Sequence, residues 1–131
     1  MMKKLWVTLP LLLVVCTSRT EAQQSVIPVV KTFKDSNVPE EIWHYKKFGN
    51  AIKLIKIEVF YKHGQMAKSG RFKDGKLHGK WTELYENGQK EKEGNYKESY
   101  EDGKWTYWRE NGETWKVETY DNGELTKINR Y

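Results

Sequence analysis

The chain has 131 residues, 31% charged and 37% hydrophobic, with a formal net charge of +5. That length holds one domain and not two, and so mild a positive excess does not argue for nucleic acid as a partner. Cys16 is the single cysteine, which excludes an internal disulfide framework.

Taken in chain order, the first element is an export signal over residues 1–22. Lys3 and Lys4 precede an uncharged, mainly apolar run of 11 residues, Leu5 to Val15, the basic-then-apolar layout of a secretory signal. A helix needs about 20 apolar residues to cross a bilayer, so the run is read as cleaved or lipid-anchored and not as membrane-spanning. Thr20-Glu21-Ala22 offers small residues at a peptidase spacing, and cleavage after Ala22 is the favoured route. Leu13-Val14-Val15-Cys16 competes as a lipobox-like sequence, although Val15 is bulkier than the small residue expected before a lipidated cysteine. Membrane association is expected only if Cys16 carries lipid. Cleavage after Ala22 leaves 20 basic and 17 acidic residues, a net charge of +3.

Residues 23–41 contain Pro28 and Pro39 and no repeat match, and they read as a tether. Val26 to Val30 has the composition of an edge strand, but Pro28 argues against it.

Residues 42–131 are organised by a period of 24. Residues 60–83 laid on 84–107 give ten identities, among them Tyr61/Tyr85, Gly70/Gly94, Gly79/Gly103 and Trp81/Trp105. A third copy begins at Trp108 and decays toward Tyr131. Upstream, Trp43, Tyr45 and Gly49-Asn50 form a degenerate copy read as an N-terminal cap. Each period carries two turn signals. His63-Gly64, Asn87-Gly88 and Asn111-Gly112 recur at one position, where Asn-Gly suggests a type I′ turn; Asp74-Gly75, Glu98-Ser99 and Asn122-Gly123 recur at the other. The segments between turns have strand length, and no apolar period of 3.6 supports a helix. The expected fold is all-β: tandem β-hairpins in an open, twisted antiparallel meander. Columns such as Phe72/Tyr96/Tyr120 and Trp81/Trp105 are expected to stack into an aromatic spine, because a lone hairpin is marginal in water.

The run Leu84-Tyr85-Glu86-Asn87-Gly88-Gln89, followed by Glu93-Gly94-Asn95-Tyr96-Lys97 and Gly103-Lys104-Trp105, resembles the bacterial variant of the MORN repeat over about residues 43–123. The resemblance implies a β-hairpin repeat fold, and members of that group are often labelled antitoxin-like, of the YwqK type. It says little about function. Two departures stand out: Ser99 replaces a turn glycine, which predicts a looser turn, and Glu118 replaces the glycine of Gly70 and Gly94.

Nothing points to catalysis. His44, His63 and His78 lack ligand spacing for a metal, the serines lack a nucleophile-elbow context, and no phosphate-cradling loop precedes a helix. Neither cofactor nor metal is expected. One pattern points to binding: Lys68, Lys92 and Lys116 share a repeat position, so on a regular sheet they would align every second strand, about 9–10 Å apart. Such a row would grip a protein or an anionic envelope component; the alternative is solubility and edge protection. Trp115, whose counterparts are Ala67 and Glu91, is either an interface anchor or a cap on the last repeat. The chain is expected to be a non-enzymatic, exported binding module of the periplasm or cell surface, with an immunity or antitoxin-like protein as the alternative.

Overall fold

The computed structural model describes residues 25–131. The signal segment, both processing sites and Cys16 lie outside these residues. Nine strands, β1 (Val26–Thr32), β2 (Pro39–Phe48), β3 (Ala51–Phe60), β4 (Met66–Lys73), β5 (Lys76–Leu84), β6 (Lys90–Lys97), β7 (Tyr100–Trp108), β8 (Thr114–Asp121) and β9 (Glu124–Arg130), form one antiparallel sheet. Spatial order follows sequence order from β1 to β9. The open all-β meander expected from the repeat is the observed architecture, and each 24-residue period contributes two strands.

The segment read as a tether contains strand β1 and the first residues of β2. β1 pairs with β2 from Val26 opposite Lys46 to Lys31 opposite Glu41. Pro28, opposite His44, is tolerated because β1 is the outermost strand and needs ladder bonds on one side only. The expected N-terminal cap is the β2–β3 hairpin, closed at Gly49-Asn50.

The two turn classes differ from the sequence reading in an instructive way. At the first position the asparagine does not take a positive φ; only the glycine does, at 90° for Gly64, 83° for Gly88 and 86° for Gly112. The Gly64 N–H donates to the Tyr61 carbonyl and the Tyr61 N–H to the Gln65 carbonyl, both at 2.8 Å. This is a longer loop that ends in one left-handed residue, not a two-residue type I′ turn. Asn87 and Asn111 serve instead by accepting the backbone N–H of Gln89 and Glu113, at 2.9 and 3.0 Å.

At the second position the turn is tight throughout, including at Ser99. Glu98 and Ser99 adopt φ of 54° and 73°, close to the 49° and 81° of Asp74 and Gly75. The looser turn expected there does not form, because Ser99 is tied to the preceding repeat. Its N–H donates to the Leu77 carbonyl at 2.9 Å, and its hydroxyl accepts the Leu77 N–H at 3.1 Å. Those bonds offset the cost of a side chain in the left-handed region.

A sheet with no second layer must bury its apolar groups within its own face. The register runs Val29, Trp43, Ile57, Gly70, Trp81, Gly94 across β1 to β6 and resumes as Trp105, Glu118, Ile128 across β7 to β9. The indole of Trp81 lies over Gly70 and that of Trp105 over Gly94, so closely that a Cβ on either glycine would collide with ring carbons. Tyr96 joins the two tryptophans edge-on, 5.9 Å from Trp81 and 5.0 Å from Trp105 between ring centroids. Trp105 is 0% exposed and is the largest fully buried side chain among the described residues. Tyrosines fasten one repeat to the next at the hairpin ends: the Tyr61 hydroxyl donates to the Leu84 carbonyl at 2.8 Å, and the Tyr85 hydroxyl to the Trp108 carbonyl at 2.7 Å.

Gly94→Ala is therefore expected to lower the unfolding free energy by about 2 kcal/mol or more through overpacking against Trp105. Asn95→Ala, one residue along and on the opposite face, should change it by less than about 0.5 kcal/mol. Denaturation followed by tryptophan fluorescence measures both.

Candidate functional site

The register places Lys68, Lys92 and Lys116 in one row with Glu83, Tyr107 and Arg130 interleaved, on the face that carries the tryptophans. Their ammonium groups are engaged within the chain to different degrees. Lys68 pairs with Glu83 at 3.2 Å and its side chain stays 48% exposed. Lys92 pairs with Glu101 at 3.0 Å, is 21% exposed, and lies 4.3 Å above the Trp105 ring. Lys116 pairs with Glu118 at 2.8 Å, is 16% exposed, and sits 3.8 Å from the Tyr107 ring centroid and 4.9 Å from that of Trp115. Lys68 is thus the accessible end of the row, while Lys92 and Lys116 alternate with aromatic rings in cation–π contacts.

Trp115 occupies a β-bulge. Tyr107 faces Lys116 and Trp108 faces Thr114, which leaves Trp115 as the extra residue, as Ala67 and Glu91 are at the equivalent bulges. The bulge turns its ring toward Tyr107, 6.2 Å away, and leaves it half-buried. Its carbonyl accepts the Tyr131 N–H at 3.0 Å, so it also closes the end of the sheet.

Glu118 explains how the third repeat survives without its glycine. Burial pushes its carboxyl up, but hydrogen bonds from Lys116, Tyr107 and Tyr120 together outweigh that and hold it below its ordinary value. Tyr120 donates its hydroxyl at 3.0 Å, and burial with this bond pushes Tyr120 up to about 12. Trp105, which stands opposite Glu118, differs from the earlier tryptophans in its indole partner. Trp43 donates its indole N–H to Glu41, two residues before it, and Trp81 to Glu83, two residues after it, each at 2.8 Å. Tyr107 stands at that position after Trp105, whose buried indole nitrogen has no hydrogen-bond partner.

The opposite face holds a basic surface in which Lys56 and Lys80 share a repeat column and Arg71 departs from its own. Lys56 stands directly opposite Arg71 across β3 and β4. Arg71, Lys80 and Lys90 line a shallow depression of about 350 Å³ together with Lys56, Ser69, Thr82 and Glu93. Glu93 takes Lys80 at 3.1 Å and Lys90 at 3.0 Å, and Glu58 takes His44 and Lys56, each at 2.6 Å. Burial raises both carboxyls, and the hydrogen bonds from these lysines and from His44 more than reverse it, leaving both below their ordinary values. Arg71 forms no ion pair among the described residues. Its counterparts are Asn95 and Thr119, so a search for identities passes it over; departures between repeats were the signal. Among the described residues no group of three or more His, Cys, Asp or Glu converges in a way that suits a metal ion.

Glu118 sets a pH dependence. Its folded carboxyl lies below the ordinary 4.5, so its contribution is complete above that value and is lost as pH falls through the lowered one. Glu118→Gln should destabilise the fold by about 1–3 kcal/mol at neutral pH, and the gap from wild type should close on acidification when urea midpoints are followed with pH.

The family described as the MORN repeat variant matches this chain at residues 77–98 and 101–127. Those spans hold β6 and β8, all but the first residue of β5 and of β7, and the first half of β9. No curated protein matches the chain.

Proposed function

We propose that this chain, which carries MORN repeat variants in its C-terminal hairpins, is a non-enzymatic binding module that is exported and works in the cell envelope. The family suggests a repeat-based binding role. The observation that carries the reading is the open single-layer sheet, which offers two broad, highly charged faces and keeps its buried chemistry for its own stability. The basic-then-apolar start of the sequence supports export. On the tryptophan face the contact surface is the lysine row of Lys68, Lys92 and Lys116 bordered by Trp115, with a protein or anionic envelope component as partner.

Within that row the three lysines should behave differently. Lys68→Glu reverses a half-exposed charge and should weaken capture of the partner from an envelope extract at least several-fold, with a smaller loss of stability than Lys116→Glu because the Lys68–Glu83 pair is more exposed. Lys116→Glu places a second carboxylate against Glu118 and should destabilise the fold. Capture by the Lys68→Glu chain at wild-type yield contradicts the proposed contact. If the captured partner is a toxic protein whose activity the chain suppresses, the antitoxin-like role replaces this one.

A further inference from the structure

We propose that the face opposite the tryptophans carries an oxyanion site, centred on Arg71 and flanked by Lys56 and Lys80, that takes a doubly charged phosphate or sulfate group. It is separate from the lysine row and stands or falls independently of the partner bound there.

Three observations converge on it. The first is the placement of like charges. Lys56 and Arg71 are directly opposed across neighbouring strands, where like charges are destabilising. A surface that needed only solubility would interleave signs, as the other face does with Lys68, Glu83 and Lys92. The second is shape. Two adjoining depressions, of about 350 and 500 Å³, share Lys56, Arg71 and Lys80, so these three cations edge both. The first depression adds the hydroxyls of Ser69 and Thr82, which lie between Glu58 and Glu93 in the register.

The third is charge balance. Lys56, Arg71, Lys80 and Lys90 supply four positive charges, and Glu58 and Glu93 already hold Lys56, Lys80 and Lys90 in place. Two positive charges are left over. That excess matches a dianion better than a single carboxylate, and the guanidinium of Arg71, which no carboxylate among the described residues engages, presents a planar fork suited to two oxyanion oxygens. Glu58 and Glu93 thus orient the flanking ammonium groups, and Arg71 supplies the unspent donors. The groove is open to solvent, so affinity for a lone ion should be modest and salt-sensitive.

The test is a titration of the full chain with inorganic phosphate at constant ionic strength, read by amide chemical shifts. Shifts should cluster at Ser69, Arg71 and Thr82. Arg71→Gln should weaken binding at least about tenfold while its melting temperature stays at or above that of wild type, since it relieves the opposition to Lys56. Lys80→Gln should weaken binding as well. Lys68→Gln removes the same amount of charge from the other face and should leave the titration unchanged. Wild-type chain without clustered shifts, or an Arg71→Gln chain that titrates like wild type, overturns the proposal. Co-sedimentation with phosphatidic acid vesicles, whose phosphomonoester headgroup can carry two charges, but not with phosphatidylcholine vesicles, that is lost in Arg71→Gln assigns the group to a lipid headgroup. Phosphate binding without co-sedimentation assigns it to a soluble phosphate or sulfate.

Discussion

The indole laid over a glycine is the contact on which this sheet depends. Among the described residues there is one layer of strands with no facing sheet or helix to bury against, and only two apolar side chains, Ala67 and Trp105, are buried. The sheet makes its core by thinning its own backbone. Gly70 and Gly94 remove the Cβ where Trp81 and Trp105 must lie, and Tyr96 bridges the two rings. Burying an aromatic side chain stabilises by roughly 2–3 kcal/mol, so repetition of the unit matters more than any one copy.

The third copy shows what happens when the unit is altered. Glu118 brings a carboxylate to the glycine position, next to the most buried ring of the protein. A buried charge is tolerated only when paired and hydrogen-bonded, and here Lys116 and Tyr120 meet it. That requirement reorders the lysine row. Lys116 is drawn inward to serve Glu118, Lys92 settles over Trp105, and Lys68 alone remains well exposed. The Lys residues of one repeat column have therefore acquired different environments through what faces them, and repeat identity has not preserved equivalence.

Much of this was legible in the residues. The period of 24, the two turns per period and the tryptophan column lead directly to the meander, because hairpin signals and strand-length spacing are local properties. The limits are physical as well. Pro28 argues against a strand by a rule that an outermost position relaxes, and only the sheet order reveals that position. Ser99 holds a tight turn because Leu77, in the preceding repeat, bonds to it. The lysine column was visible, but the carboxylates that engage it depend on register. Lys56 and Lys80 share a repeat column, but Arg71 stands where the later repeats have Asn95 and Thr119, so that site joins a repeated position to an unrepeated one.

The most direct test of the central contact is a double-mutant cycle between Gly94→Ala and Trp105→Leu, measured by urea denaturation. If the glycine exists to receive the indole, the methyl group costs much less once the ring is gone. The two substitutions should then couple by at least about 1 kcal/mol, with the double mutant more stable than the sum of the singles implies. Additivity within about 0.5 kcal/mol would contradict the account and place the role of Gly94 in backbone conformation instead.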